Sequence, residues 1–339
     1  MKVAIFGAGA MGTVLGAYIA KAGYDIDLIT RNKSHIEGLK KNGAVISGKT
    51  NFTQKVNAFL PDEMNKKYDI ILLMTKQLDN ENVVKKLVPF LTKKGVICTM
   101  QNGLPELSVS EVIGRDKTIG CAMSWGASMI GNGHVELTSE EDREVLTFNI
   151  GKFGENDDEI FDYIVKLLSV MGNVTIEENF IGARWAKLLV NSAFSGPSAA
   201  LNATFGELAK NRKTRTIVQK IIKECIDVAK ASNIKIEPIQ GKDIVKILDY
   251  NNCIKKRISF MIIPFAIKKH RLIKSSMIND LQKGRKCEIE AINGIVTQYG
   301  YKSNTPTPVN DEIIKIVKDI EKGKLKSSWS NLKLLEHLI

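Results

Sequence analysis

The sequence predicts an α/β protein: a parallel, doubly wound sheet in the N-terminal half, followed by an all-helical part. Short apolar runs alternate with helical patterns from residue 2 to about residue 117. A glycine-rich turn follows the first of these runs, and strand signals stop near residue 180.

Residues 2–6 (KVAIF) are an apolar run ending at a glycine, the pattern of a strand buried on both faces. Residues 10–22 carry a helical pattern, 25–30 (DIDLIT) a second strand and 33–41 a short helix. Two more buried strands are expected at 69–74 (DIILLM) and 95–100 (GVICTM), with a helix at 79–91 between them. Strands alternating with helices imply parallel pairing. Further strands near 118–130, 133–138, 145–151 and 173–177 are separated by Gly/Asn turns. Residues 181–201, 206–232, 242–273, 288–299 and 310–322 then read as helices. A boundary near residue 178 separates a domain at 1–178 from a helical one at 179–339, and a cleft between two such domains is a common place for a small-molecule site.

A chain of 339 residues is long enough for two cores. Its 44% hydrophobic and 25% charged residues are ordinary for a globular protein. Five cysteines, at 98, 121, 225, 253 and 287, are scattered and never in CxxC spacing. That argues against a disulfide framework and against a zinc site, and places the chain in a reducing cytoplasm. The glycines at 7, 9, 12 and 16 interrupt the N-terminal apolar stretch, which is a strand, turn and helix rather than a signal peptide. No run of 18 apolar residues is present, so no spanning helix is expected.

The net charge is +12, with ten cations between Lys255 and Lys286. A solvated helical face accounts for them. The two phenylalanines of this segment, Phe260 and Phe265, fall in its apolar stretch rather than alternating with the cations as stacking platforms, so no nucleic-acid partner is expected. The apolar stretch 258–267 is too short to cross a bilayer and contains Pro264. It is expected to serve a subunit contact, as in a homodimer, or to pack over the cleft, rather than to attach to a membrane.

Gly7-Ala8-Gly9-Ala10-Met11-Gly12 is a GxGxxG sequence placed after a strand and at the start of a helix. In that context Gly7 makes the tight turn, Gly9 lets the backbone approach a pyrophosphate, and Gly12 lets the helix pack against the sheet. The helix start supplies N–H groups and the positive end of its dipole. This is the dinucleotide-binding, Rossmann-type arrangement. The second strand ends Ile29-Thr30-Arg31-Asn32, with no carboxylate after Asp27 to hold a ribose 2′-hydroxyl. Arg31 is suited instead to a 2′-phosphate, which selects NADP(H).

Hydride transfer to a ketone creates an alkoxide, which needs a proton donor or cation nearby. With four histidines and none in a motif, His is a poor candidate. Lys187, Asn191 and Ser195 are spaced i, i+4, i+8 on one face of an otherwise apolar helix. A lysine there is costly unless partnered or functional, and burial would lower its pKa toward that of a usable general acid. A snorkelling lysine is the alternative.

The chain resembles the ketopantoate reductase (2-dehydropantoate 2-reductase) family. The resemblance is carried by the GxGxxG turn, Met74-Thr75-Lys76, Gln101-Asn102-Gly103 and the Trp185-Ala186-Lys187-Leu188…Asn191 helix. It continues through Gly206-Glu207-Leu208, Ser275-Ser276-Met277, Asp280, Glu288-Ile289-Glu290, Asn293-Gly294 and Thr305-Pro306-Thr307-Pro308-Val309-Asn310. These motifs run in order over essentially the whole chain. The resemblance implies NADPH-dependent reduction of 2-dehydropantoate to pantoate, on the way to coenzyme A. It implies Lys187 as general acid at the keto oxygen, with Asn191 and Asn202 on the substrate side. Asn102 would lie beside nicotinamide and substrate, and Lys76 near the cofactor ribose and phosphates. Ser276 would hold the substrate carboxylate, and Glu288 would bind a hydroxyl and help orient Lys187.

An unbroken helix between Ser276 and Glu288 would be ~18 Å long, too far for both to touch one small molecule. Gly284 is therefore expected to break it, so that Glu288 begins a new helix. Two features depart from the family pattern. Ser195 stands where a second asparagine is usual, and the 250–273 region is longer. They keep open a different branched 2-oxo acid as substrate. A non-catalytic NADPH-binding sensor is the alternative of another class, against which the retained Lys187, Asn191, Asn102 and Glu288 argue.

Overall fold

The computed structural model describes residues 1–239 and 241–339, which form two compact units, Met1–Phe180 and Ile181–Ile339. The first unit contains strands β1 (Val3–Phe6), β2 (Ile26–Ile29), β3 (Ala44–Gly48), β4 (Phe52–Gln54), β5 (Asn57–Phe59) and β6 (Tyr68–Leu73). It continues with β7 (Leu91–Thr99), β8 (Thr118–Met123), β9 (Ala127–Gly131), β10 (His134–Leu137), β11 (Thr147–Lys152) and β12 (Asn173–Ile176). Its helices are α1 (Ala10–Lys21), α2 (Lys33–Asn42), α3 (Asn80–Leu87), α4 (Pro105–Ile113) and α5 (Asp158–Ser169).

The main sheet has the order β12-β11-β8-β7-β6-β1-β2-β5, all parallel except the β8–β11 pair. The six strands from β5 to β8 follow the dinucleotide-binding order, with the chain reversing direction across the sheet at β1. Side chains alternate between two cores, as the pleat requires. Val3, Ile5, Ile70 and Leu72 join Val14, Leu15 and Ile19 of α1 and Ile164 and Leu167 of α5. Ala4, Ile71 and Leu73 join Val84 and Leu87 of α3 and Val109 of α4 on the other face. Helices on both faces are what make the apolar runs continuous.

A second sheet, β4-β3-β10-β9, was not anticipated between residues 44 and 59, nor were α4 and α5. Strands β3 to β5 are three to five residues long and only partly buried, so their apolar pattern is weak. The β9–β10 turn of the small sheet is tied to α1 by a fully buried histidine of α2. His35 Nδ1 accepts from the Gly133 N–H at 3.0 Å, which leaves Nε2 protonated and donating to Thr13 Oγ1 at 2.9 Å. Burial holds the His35 pKa below the ordinary histidine value.

Above about pH 6.5 the ring is neutral in folded and unfolded chains alike. On acidification the unfolded chain takes up the proton first, so the stability contributed by neutral His35 is lost as pH falls. The urea midpoint of the native protein is expected to fall between pH 7.5 and pH 5.5. The gap between it and His35→Gln should narrow over that range. A gap that widens would contradict the assignment.

The second unit contains α6 (Phe180–Leu201), α7 (Phe205–Lys210), α8 (Arg212–Ala231), α9 (Ile244–Leu248), α10 (Cys253–Ala266), α11 (Met277–Gln282), α12 (Ile289–Lys302), α13 (Pro308–Glu321) and α14 (Leu332–Leu335). No strands are found among its described residues. The single helix expected at 206–232 is two, because Asn211 caps α8, its side chain accepting from Lys213 N and Thr214 N. The long helix expected at 242–273 is likewise divided: α9 ends at Leu248 with Asp249 as its C-cap, and Asn252 caps α10 by accepting from Lys255 N. In both cases a side-chain oxygen satisfies helix N–H groups and marks a start inside a continuous apolar pattern. Among the described residues no helix is long and apolar enough to cross a membrane.

Candidate active site

In the first unit the parallel sheet switches direction at β1, and its carboxyl ends are where such sheets bind ligands. Gly7 follows β1 with φ +102°, a region open to glycine. A Cβ on it would lie 2.5 Å from Thr75 N and 2.6 Å from the Met74 carbonyl carbon. The glycine turn is thus pressed onto the loop that follows β6. A Cβ on Gly12 would lie 2.9 Å from Gly7 O and 3.1 Å from the Ile5 side chain, so Gly12 lets α1 sit close to β1.

Gly9 is different. The nearest heavy atom to its would-be Cβ is 4.0 Å away, so nothing in the protein requires glycine there. The N–H groups of Gly7, Ala8 and Gly9 are bonded to Ile29 O, Ile29 O and Gly7 O. Helix α1 starts at Ala10 with no side-chain cap and no acidic residue in its first turn. The N–H groups of Ala10, Met11 and Gly12 therefore face no intrahelical acceptor, and the dipole there favours an anion. These residues fit a dinucleotide pyrophosphate.

Asp27 is buried in the middle of β2, where it accepts from Tyr68 Oη at 2.8 Å and Lys66 Nζ at 2.9 Å. It is committed to the strand and is not at the strand's end. Arg31 is exposed just beyond β2, while Asn32 beside it caps α2 by accepting from His35 N. Lys76 is exposed after β6, and Asn102 is half-buried after β7.

Two glutamines bind these loops together, a role not read from the sequence. Gln77 Nε2 donates to Asn102 O at 2.7 Å. Buried Gln101 donates to Thr75 O and to Asn80 Oδ1, each at 2.8 Å, and accepts from Asn80 Nδ2 at 3.0 Å. Buried Glu106 in the first turn of α4, which accepts from Thr99 Oγ1, was also missed. Isolated polar residues at the ends of apolar runs are the only trace of these contacts in the sequence.

In the second unit, α6 is buried on nearly every side. Between residues 182 and 200, only Ala183, Lys187, Val190, Asn191 and Ser195 are half-buried, and all others are buried. Those five form one stripe at helical spacing. Lys187, Asn191 and Ser195 thus share the accessible face of a core helix, and Lys187 is half-buried rather than enclosed. Trp185, fully buried, packs edge-on to Tyr299 of α12 at 5.4 Å between ring centroids.

At the end of α6, Asn202 adopts φ 54° and accepts from Lys274 Nζ at 3.1 Å. Ser198 Oγ donates to Ala203 O at 2.6 Å and accepts from Ser275 N at 3.0 Å. These bonds bring Asn202 and the segment leading into α11 together. There Ser276 is exposed and its neighbour Ser275 is the buried serine. Gly206 of the Gly-Glu-Leu motif meets the same segment: a Cβ on it would lie 2.7 Å from Arg271 O. Glu207 closes a capping box with Thr204, whose N–H and hydroxyl hold its carboxyl below the usual range.

The helix break between Ser276 and Glu288 is present. α11 ends at Gln282, Gly284 has φ +62°, and Glu288 precedes α12. Glu288 is buried, and Cys287 beside it donates its N–H to Glu321 Oε1 of α13 at 2.7 Å. Burial pushes the Cys287 thiol up to about 12, so it is a packing group and not a nucleophile. Among the described residues no cluster of His, Cys, Asp or Glu could hold a metal ion.

Comparison with known proteins follows the same lines. The chain is 28% identical over 322 residues to the 2-dehydropantoate 2-reductase of Pyrococcus horikoshii, covering 94% of this chain and 97% of that protein. It shares its fold with a D-mandelate dehydrogenase solved with NADH and anilino(oxo)acetate (TM-score 0.81, 23% identity, 95% and 99% coverage). It shares it also with a PanE/ApbA family ketopantoate reductase from Ralstonia eutropha (TM-score 0.80, 24% identity, 96% and 99% coverage). The family model for ketopantoate reductase PanE/ApbA matches residues 3–149, and that for its C-terminal part matches residues 179–321. With both halves matched in order, the chain belongs to the ketopantoate reductase family.

Proposed function

We propose that the protein reduces 2-dehydropantoate to pantoate with NADPH, on the way to coenzyme A. The observation that carries this is the accessible stripe of α6, where a lysine, an amide and a hydroxyl line up on an otherwise buried helix. Residues 1–178 would bind NADP(H) and residues 179–339 the keto acid. Bound at the α1 start, the cofactor supplies a hydride to the keto carbon. Lys187 Nζ gives a proton to the keto oxygen as charge develops there. Asn191 and Ser195, one and two turns on, hold substrate oxygens, with Asn202 on the same side. Ser276 holds the carboxylate, and Glu288 takes a hydroxyl and orients Lys187. Asn102 would lie beside the nicotinamide, and Lys76 would balance the charge of the cofactor phosphates. The scattered cysteines, never in CxxC spacing, suit the reducing cytoplasm.

A panel of 2-oxo acids assayed with NADPH and with NADH tests the proposal. Ketopantoate with NADPH is expected to give the highest kcat/KM. If it ranks among the poorest substrates, Ser195 has re-tuned the pocket toward another branched 2-oxo acid. Tight NADPH binding without turnover of any 2-oxo acid would identify a binding protein. In the same assay Arg31→Ala should raise the KM for NADPH about tenfold or more, as loss of a charge-assisted phosphate contact does, with NADH little affected.

The partner this reading implies is a second copy of the chain. Ile254 (75% exposed), Ile258 (49%), Met261 (59%) and Phe265 (77%) recur at helical spacing along α10, forming a stripe that soluble monomers seldom leave uncovered. A second copy crossing the same face would bury it on both sides. Light scattering should give twice the chain mass, and Met261→Lys should give the single mass. A monomeric native protein would remove this reading.

A further inference from the structure

The stripe on α6 lies beside an interior helix surface that contains Gly196 and Pro197, two residues that weaken a helix. A chain of buried polar groups braces it there. Glu224 of α8 places its carboxylate at the start of α13, where Oε1 accepts from Val309 N at 2.9 Å. Its Oε2 accepts from Asn310 N at 3.0 Å and from Asn310 Nδ2 at 2.7 Å. Asn310 Oδ1 accepts in turn from Asn293 Nδ2 of α12 at 2.8 Å. The same Nδ2 donates to Ser192 O of α6 at 3.0 Å. Asn293 and Asn310 are fully buried, so neither can exchange these partners for water.

We infer that Asn293, anchored through Asn310 to Glu224, is a positioning residue that sets the register of the Lys187–Asn191–Ser195 stripe. Four observations support it. The bond falls on the carbonyl of residue 192, between Asn191 and Ser195 and five residues before Pro197. Gly196 has no side chain because the amide occupies that place: a Cβ there would lie 2.5 Å from Asn293 Oδ1. Asn310 is oriented from two directions, since its own N–H and side-chain NH2 are both held by one carboxylate, which leaves its Oδ1 to aim at Asn293. Finally, α12 packs against α6 at a second point through Tyr299 and Trp185, so Asn293 is delivered by a helix already fixed there.

The inference rests on the reading of α6 as the catalytic helix. Its test compares Asn293→Ala with Val317→Ala, which removes buried aliphatic volume two turns along α13 from Asn310. Both variants should unfold at lower temperature. Asn293→Ala alone should lower kcat/KM for the keto acid, by about tenfold to a hundredfold as displaced catalytic groups do. The Kd for NADPH should stay within about threefold of native in both, as expected when the cofactor contacts are untouched. Amide exchange in a peptide covering residues 187–199 should quicken in Asn293→Ala beyond its rate in Val317→Ala. If Asn293→Ala does not fold, Asn293→Asp keeps the shape, removes the donor and takes its place with the same expectations. Kinetics and exchange matching Val317→Ala would overturn the inference. A native protein that reduces no 2-oxo acid would sink the proposed function instead, and the exchange measurement would still decide the brace.

Discussion

Lys187→Ala is expected to lower kcat about 10³-fold, in the middle of the range for a positioned general acid, while the Kd for NADPH changes little. The separation follows from where the residue sits. Lys187 is on α6 in the second unit, whereas the glycine turn, Arg31 and Lys76 are in the first. Truncation removes an ammonium from a half-buried position on the stripe. Tm should therefore hold near native, because Leu188, Leu189 and Trp185 carry the burial of that turn. Steady-state rates with ketopantoate and NADPH, together with a fluorescence titration of NADPH, measure both sides. A variant turning over at the native rate would remove Lys187 from the mechanism.

Two glycine substitutions should separate what the fold needs from what the cofactor needs. Gly7→Ala adds a methyl group 2.5 Å from the Thr75 backbone at φ +102°, and is expected to cost roughly 3 kcal/mol or more through overpacking and strain. Gly9→Ala adds its methyl where the protein leaves 4.0 Å of clearance. Its φ of −82° is ordinary for alanine. Stability without ligand should stay within about 0.5 kcal/mol of native, as for a surface change that touches no special feature. Its NADPH affinity should fall by about tenfold or more if, as proposed, the pyrophosphate approaches the backbone there. Urea titration without ligand and NADPH titration by fluorescence give the four numbers. A Gly9→Ala protein that binds NADPH like the native chain would place the pyrophosphate elsewhere.

Much of the frame was legible in the residues. Strands buried on both faces are continuous apolar runs, so β1, β2, β6 and β7 announced themselves, as did α6, α12 and α13 of the second unit. The glycine turn was legible because its spacing encodes local backbone geometry. The helix break at Gly284 was expected from the resemblance together with distance: the roles it implies for Ser276 and Glu288 could not both be served across an unbroken helix. Short, half-exposed strands such as β4 and β5 carry too little periodicity to be read, and capping asparagines at 211 and 252 cut helices that looked continuous.

By itself, then, the sequence determined the sheet class, the cofactor turn and the i, i+4, i+8 alignment of Lys187, Asn191 and Ser195. Each of these depends on residues close together in the chain. Tertiary structure alone decided that this alignment is the accessible stripe of a buried helix, because burial depends on what packs around α6. It alone decided that Ser275, not Ser276, is buried, and that Asp27 belongs to Tyr68 and Lys66. It alone joined Glu224, Asn310, Asn293 and Ser192. Those four lie on four helices up to 118 positions apart (192 to 310), and a hydrogen bond at that separation leaves no periodicity to read.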